Sequence, residues 1–256
     1  MMKALIDGDV LCYSVGSATD DEGKPLSWPL TFARLKGKIE QIVRDSGADE
    51  FAVYVTGKGN FRHTEATIKP YKGNRNAPKP HHYQRVRDYF SKAQDIEVVW
   101  CEGYEADDGM SIDQCENIEP TIICSIDKDL DMVLGWHYQW VVGDRKPRPP
   151  YFVDYIDGMR WFFKQLLMGD TTDNILGLYN VGKKSTLVTK LDTMENVQEM
   201  YDHVQRYYEK YFGSYWRMFL NENARLLWML EQEDDDVRDS LDVLECNRQK
   251  KLEEQF

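Results

Sequence analysis

Eight acidic residues fall in four short motifs whose make-up suits one kind of chemistry. Asp7 lies in LIDGD, Glu105, Asp107 and Asp108 in GYEADDG, Asp127 and Asp129 in SIDKDLD, and Asp170 and Asp173 in GDTTDN. A ligand set drawn from them is all oxygen, which suits Mg²⁺ or Mn²⁺ and not zinc. Taken singly, each motif has an ordinary explanation. Acids in a helix's first turn are favoured by its dipole, so EADD reads equally well as capping, and the other acids read as turn residues. Taken together they call for cations. Two carboxylates 4 Å apart repel by about 4 kcal/mol even at an effective dielectric near 20. Eight on one rim would outweigh a small domain's stability margin. Two metal ions about 3.5–4 Å apart could polarise a phosphoryl oxygen, generate hydroxide and hold the leaving oxygen. The carboxylates themselves would then need no pKa near neutrality.

Phosphate is also what the basic residues suit. The net charge is −12, yet Lys58 to Lys92 holds nine Lys and Arg against Glu65 and Asp88, a balance of +7 that leaves −19 on the remainder. Within it, FRHTEATIKPYKGNRNAPKPHHYQR (61–85) interleaves cations with Phe61, Tyr71 and Tyr83. Cations beside aromatics suit a single strand or a frayed end, with phosphates paired and bases stacked. The plain alternative is a solvated basic loop. Further on, GLYNVGKKST (177–186) nearly matches a nucleotide-binding P-loop, but Lys184 stands where Ser or Thr must bind magnesium and no strand precedes it. A Gly-containing turn with Lys183 and Lys184 at a helix start can still grip one DNA backbone without reading sequence. An ordinary helix–turn–helix corner is the alternative.

These residues need elements to hold them. Apolar runs at Ala4–Ile6, Phe51–Val55, Ile96–Trp100, Thr121–Ile126 and Trp140–Val142 read as short buried strands. Helix-like stretches at Thr31–Val43, Tyr83–Ser91 and Ala106–Cys115 separate several of them. The alternation predicts an α/β fold, with a largely parallel sheet covered on both faces. In such a sheet the carboxyl ends of the strands share one edge, where ligands bind. Asp7, the EADD acids and the DKD acids all follow strands, so they converge on that edge, and GDTTDN sits close enough in sequence to cap it. Beyond about residue 157 the strands stop. Gly158–Met168, Val181–Leu191, Val197–Tyr211 and Tyr215–Leu230 read as helices, and the acidic tail from Glu231 to Phe256 as a surface helix or frayed end. The Pro-rich KPRPP (146–150) marks a loop and a seam, and Thr19–Pro29 a second long loop. The domains expected are therefore an α/β core over 1–156, with the basic segment at about 58–92 arching over it, and a helical region over 157–256.

At 256 residues with 42% hydrophobic and 30% charged, the chain affords a core, and wholesale disorder is unsuited to it. No apolar run approaches the roughly 18 residues of a membrane helix, and Asp7 and Asp9 come too early for a secretion signal. Five cysteines without a C-x-x-C pair read as mostly buried free thiols in a reducing compartment. The expectation is a cytoplasmic monomer.

The ordered set LIDGD, FR, YKGNR, EADD, DKDL, GDTTDN and GLYNVGKKST resembles the flap endonuclease and 5′→3′ exonuclease family, particularly its standalone bacteriophage members. The match spans about residues 3 to 190. The resemblance implies a PIN-like α/β domain with a helical arch or clamp over the site. It also implies a helix–hairpin–helix element, at about 170–191, that binds duplex DNA, often with a potassium ion. Such enzymes hydrolyse phosphodiesters near 5′ ends, flaps and nicks with two Mg²⁺ ions, and several viral members remove RNA from RNA–DNA hybrids. Carried onto this chain, Asp7, Glu105 and Asp107 resemble first-metal ligands. Asp108, Asp127, Asp129 and Asp173 resemble second-metal or shared positions, and Asp170 a peripheral one. Lys72 and Arg75 resemble the residues that steer the scissile phosphate, and Tyr71 a stacking residue. Arg62, in the Phe-Arg pair, is assigned to DNA, and Gly182, Lys183 and Lys184 to the duplex-binding hairpin.

This chain also departs from the family. The aspartate usual after the second strand is absent; VYVTGKGNFR has Thr56 and Gly57 there. Only 29 residues separate Arg75 from Glu105, room for a short clamp and not a long threading arch. Exonuclease action is therefore expected to dominate over cutting at long flaps. Two rivals remain. A haloacid-dehalogenase-type phosphatase would use Asp7 as a covalent nucleophile, but leaves EADD, DKDL and YKGNR unexplained. A structure-specific DNA-binding protein without turnover would follow from the missing aspartate.

Overall fold

In the computed structural model, which describes residues 1–117, 120–143 and 146–253, β1 (Lys3–Asp7) runs through the middle of a sheet with its last four residues buried. Asp7 is both the end of the strand and the N-cap of α1 (Gly8–Gly16), with no residue between the two elements. The junction is tight. A Cβ on Gly8 would lie 2.6 Å from the Tyr54 carbonyl oxygen, so only glycine lets the helix leave across the neighbouring strand. Then come α2 (Trp28–Ser46), β2 (Glu50–Thr56), a single turn α3 (Arg62–Glu65), α4 (Tyr83–Phe90), β3 (Glu97–Cys101), α5 (Ala106–Glu116), β4 (Thr121–Cys124), β5 (Gly135–Gln139) and β6 (Arg148–Val153). The helical remainder holds α6 (Tyr155–Met168), β7 (Gly169–Asp170), β8 (Ile175–Leu176), α7 (Thr186–Thr189), α8 (Val197–Phe212), α9 (Trp216–Leu227) and α10 (Val237–Glu253).

The chain forms two compact units, one of residues 1–60 and 77–153, the other of 61–76 and 154–256. In the first, the strand order is β3-β2-β1-β4-β5-β6, parallel except for β6, which pairs antiparallel with β5. Alternate residues of the central strands face a layer of α1, α2 and α4: Ala4, Ile6, Val53 and Val55 meet Leu11, Leu35, Ile39, Val86 and Phe90. Each such fully buried aliphatic side chain contributes roughly 1.5–3 kcal/mol. The opposite face is covered by α5, whose Gly109 lets it approach Cys101 and Tyr54. Chain order runs outward from β1 to β3 and then returns across β1 to β4. The switch point therefore lies between the carboxyl ends of β1 and β4.

Several expectations are corrected. The run Trp140–Val142 lies past the strand; β5 is Gly135–Gln139, whose polar GWHYQ hides its buried His137 and Tyr138. KPRPP is partly strand, since Pro149 and Pro150 sit in β6 at the sheet edge, where a missing amide costs no ladder bond. The seam falls at 153/154, and 61–76 belongs with the helices. The clamp expected at 58–92 is split, because α4 in its second half lies in the sheet's helical cover with Val86 and Phe90 buried. Strands do continue beyond 157, as the short β7–β8 hairpin. The helix expected at Val181–Leu191 begins only at Thr186, after a turn closed by the Ser185 amide on the Gly182 carbonyl at 2.8 Å. Cys12, Cys101 and Cys124 are buried, whereas Cys115 and Cys246 are exposed. Of the acidic tail, α10 accounts for Val237–Glu253, and 254–256 lie outside the described residues. Among the described residues no helix is long and apolar enough to cross a membrane.

Candidate active site

In the first unit the strand ends bring three acidic motifs to one edge. Asp7, at the end of β1, is 2% exposed. Its Oδ1 accepts from the Val10 amide at 2.8 Å, and its Oδ2 from the Ser125 hydroxyl at 2.7 Å. The same hydroxyl accepts from the Asp127 amide at 3.0 Å, so Ser125, just past β4, links the two acidic motifs across the switch point. Asp127 in turn caps the next turn, its Oδ1 taking the Asp129 amide at 3.0 Å, and Lys128 pairs with Asp129 at 2.6 Å. Burial is the main force on Asp7, and the Asp9 and Asp127 carboxylates add to it. Its carboxyl is pushed up to about 7 although the Val10 amide and Ser125 hydroxyl favour the ionised form.

The EADD motif does cap its helix. Glu105 and Asp108 form a reciprocal capping box at the start of α5, with the Glu105 amide donating to Asp108 Oδ2 at 3.1 Å. Asp108 is fully buried, while Glu105 and Asp107 are half-buried at the edge. The capping reading and the ligand reading are thus compatible for Glu105 and Asp107; Asp108 is committed to holding the helix start.

The corner at the end of β2 shows what sequence reasoning missed. No acid follows β2, but Asp9 of α1 reaches it, taking the Thr56 amide on Oδ2 at 3.3 Å. Arg87 of α4 donates to Asp9 Oδ1 at 3.0 Å and to the Thr56 carbonyl at 2.6 Å, and its guanidinium lies 5.1 Å from the Trp100 ring centroid. The Thr56 hydroxyl accepts from the Ala106 amide at 2.9 Å, tying this corner to α5. Burial raises the Asp9 pKa first, with Glu105 adding and Thr56 and Arg87 opposing. The signal available in the sequence was the second acid of LIDGD. The role of Arg87 had none, since it depends on α4 being laid against α1.

The second unit gathers the YKGNR and GDTTDN loops. Asp170, at 5% exposure, takes the amides of Thr172 and Asp173 at 2.6 and 3.2 Å and so shapes the hairpin between β7 and β8. Asp173 receives the Tyr71 hydroxyl at 2.8 Å, the Lys72 ammonium at 3.7 Å and the Arg75 guanidinium. Backbone contacts fix this pairing. The Lys72 amide bonds the Asp173 carbonyl at 2.9 Å with Lys72 at φ 55°, and Asn174 bonds the Pro70 carbonyl at 2.9 Å. Asp173 therefore faces cations of its own unit.

Two of the nucleic-acid assignments are overturned by burial. Arg62 is 1% exposed, its guanidinium donating to the Leu226 and Trp228 carbonyls at 2.8 and 2.6 Å, where α9 ends. A residue satisfying orphan helix carbonyls presents no surface to phosphate. Tyr71, at 4% exposure, lies under Lys72 and beside His63, so it orients Asp173 and cannot stack on a base. Gly182, Lys183 and Lys184 are exposed as expected, in the turn ahead of α7. A two-residue strand, β8, does precede that turn.

The donor set of the first unit fits a hard divalent ion in its chemistry, because its acids are oxygen ligands crowded around a carboxyl whose pKa is raised first by burial and then by the neighbouring carboxylates. Among the described residues no three His, Cys, Asp or Glu side chains stand gathered for one ion; Asp7, Asp127 and Asp108 are instead turned onto amides and hydroxyls.

No family model matches the chain. It is 27% identical over 216 residues to a thermostable DNA polymerase I of Thermus filiformis, a match covering 78% of this chain and 25% of the polymerase. It is also 27% identical over 169 residues to a 5′-3′ exonuclease of Buchnera aphidicola, covering 60% of this chain and 56% of the exonuclease. The chain thus matches about a quarter of the one relative's length and just over half of the other's. Among solved structures, phage T5 5′-exonuclease with bound zinc superposes with a TM-score of 0.65 at 18% identity, over 89% of each chain. Phage T5 flap endonuclease, in a complex with DNA and metal ions, superposes with a TM-score of 0.63 at 15% identity, over 95% of this chain and 98% of the other. The fold is that of the PIN-like flap nucleases, and the sequence is similar to 5′-3′ exonucleases, as its ordered motifs indicate.

Proposed function

We propose that the chain is a divalent-metal-dependent 5′-nuclease acting on DNA at 5′ ends, nicks and flaps, and on RNA in RNA–DNA hybrids. The observation that carries the reading is Asp7, buried at the switch point, joined to Asp127 through Ser125 and crowded by Asp9. Asp7, Glu105, Asp107, Asp127 and Asp129 would hold Mg²⁺ or Mn²⁺, in two ions. Bound there, the metal would supply Lewis-acid polarisation of the phosphate and a hydroxide nucleophile at neutral pH. Ser125 keeps the Asp7 and Asp127 motifs together, and the capping box and Thr56 fix α5 so that Glu105 and Asp107 stay at the edge. In the second unit, Lys72 and Arg75 would exchange Asp173 for the scissile phosphate, and Lys183 and Lys184, with potassium nearby, would grip the duplex. The eight-residue α4 and the absence of a long arch between Arg75 and Glu105 favour exonuclease action over long-flap cutting.

Cleavage of 5′- and 3′-labelled nicked, flapped and hybrid substrates, with Mg²⁺, Mn²⁺ or EDTA, tests this. Short products from 5′ ends, in metal only, are expected. Products released from the 3′ end would refute the polarity, and mainly flap-sized products would refute the exonuclease preference. The Thr56–Gly57 corner, with Arg87 where an acid is absent, favours one second reading, a DNA-binding protein without turnover. It requires tight binding to nicked DNA and no product in either metal.

A further inference from the structure

A carboxylate outside every acidic motif fixes the approach to Lys72. Glu222 of α9 accepts the Thr67 and Ile68 amides on one oxygen, at 3.0 and 2.8 Å, and the Thr67 hydroxyl on the other. Hydrogen bonds to an ionised carboxylate are the stronger kind. Thr67 and Ile68 join the single turn α3 to the YKGNR loop. Ahead of them, Arg62 locks α3 onto the end of α9, and Glu65 pairs with Arg238 of α10 at 3.1 Å. Beyond them, the Pro70 carbonyl takes the Gly73 amide at 3.0 Å and the Asn174 side chain at 2.9 Å. The short stretch leading to Lys72 is therefore anchored at both ends, by α9 on one side and by the β7–β8 hairpin on the other.

Between those anchors the backbone is strained. Lys72 has φ 55°, and among the described residues the other non-glycine positions with positive φ are Asn174 and Asn180. Asparagine visits the left-handed region readily; lysine does not. Such a conformation persists only where its surroundings over-determine it, and what it gains is preorganisation. With the Glu222 anchor released, Lys72 is free to relax to negative φ and carry its ammonium away from Asp173, now 3.7 Å distant. A displacement of about 1 Å is enough to cost a positioned group much of its effect on rate. A staple that serves folding alone is the plain alternative, and it would act without reference to Lys72.

We propose that Glu222 is a positioning residue for hydrolysis: by fixing Thr67 and Ile68 to α9, it holds Lys72 in its strained conformation with the ammonium set for the scissile phosphate. Glu222 acts through Lys72 and does not itself meet the phosphate. This rests on the nuclease reading and deepens it, because it traces the placing of Lys72 to a residue outside the acidic and basic motifs.

The test is single-turnover cleavage of a 5′-labelled nicked duplex by the full chain in Mn²⁺, with duplex affinity measured in EDTA and amide exchange followed over residues 67–75. Glu222→Ala should slow cleavage roughly tenfold, with affinity within about twofold of the parent and faster exchange across that stretch. Glu222→Gln keeps an oxygen for both amides and an N–H to donate to the Thr67 hydroxyl, so it should restore both cleavage and protection. Glu222→Asp, one methylene short of the amides, should behave as Glu222→Ala does and serves if that variant fails to fold. The decisive comparison sets Lys72→Ala beside Lys72→Ala/Glu222→Ala: without Lys72, losing Glu222 should change the rate by no more than about twofold. Losses that multiply, equal losses in rate and affinity, or Glu222→Gln as slow as Glu222→Ala would each overturn the assignment and leave the nuclease reading standing. A parent that yields no product in Mn²⁺ or Mg²⁺ would overturn the nuclease reading itself.

Discussion

Asp7 carries a cost that depends on pH and on metal. Without a cation, burial and the neighbouring acids hold its carboxyl near 7, above the roughly 3.9 of an unfolded aspartate. The folded state then binds its proton more tightly than the unfolded state does. The stability associated with Asp7 is therefore complete below about pH 4 and is lost as pH rises to about 7. Asp7→Asn keeps the shape and removes the ionisation. Thermal melts in EDTA should show the variant's advantage over the parent small at pH 5, growing to a plateau above pH 7. Added Mg²⁺ or Mn²⁺ should raise only the parent and reverse the order. A variant-to-parent difference that is the same at pH 5 and pH 8 would contradict this account of Asp7. The acidic residues were legible in the sequence because their chemistry is stated by their type and by their place after strands. Arg62 and Tyr71 were misread for the opposite reason. Whether a long polar side chain meets solvent or caps a helix end depends on a partner, here Leu226 and Trp228, some 160 positions away.

At the scale of elements, Arg87 ties α1, β2 and β3 together through Asp9, the Thr56 carbonyl and the Trp100 ring. Both members of the Arg87–Asp9 pair are partly buried, at 17% and 28% side-chain exposure. Removing the cation alone should cost about 2–3 kcal/mol, somewhat less than for a fully buried pair. Denaturant melts of Arg87→Met, Asp9→Asn and the double variant form a cycle. The double variant should recover part of the Arg87→Met loss, whereas strictly additive losses would mean that the pair is incidental. Strands β1 to β4 and α5 were visible in advance because buried parallel strands read as short apolar runs. The helix α1 was not, since GDVLCYSVG carries no clear amphipathic spacing and begins without a loop. Nor was β6, whose prolines read as a loop until its edge position is known.

Across the whole molecule, the net charge of −12 combines a segment of +7 with −19 on the remaining residues, and the fold divides that segment. The lysine and arginine of YKGNR go to the helical unit with Asp173, and Arg87 goes to the sheet with Asp9. The sequence displayed the surplus of cations but not their apportioning, because contacts such as those of Thr67 and Ile68 with Glu222 are invisible along the chain. What the two units share is a use of acids at loop and strand ends, and in the proposed nuclease those of the sheet govern hydrolysis. The most direct test is cleavage of a 5′-labelled nicked duplex by the parent and by Asp127→Ala in Mn²⁺, with duplex binding measured alongside in EDTA. Metal-dependent products are expected from the parent and a loss of about 100-fold or more in the variant, with binding nearly unchanged. Cleavage by Asp127→Ala at the parent's rate would contradict that role for the sheet's acids.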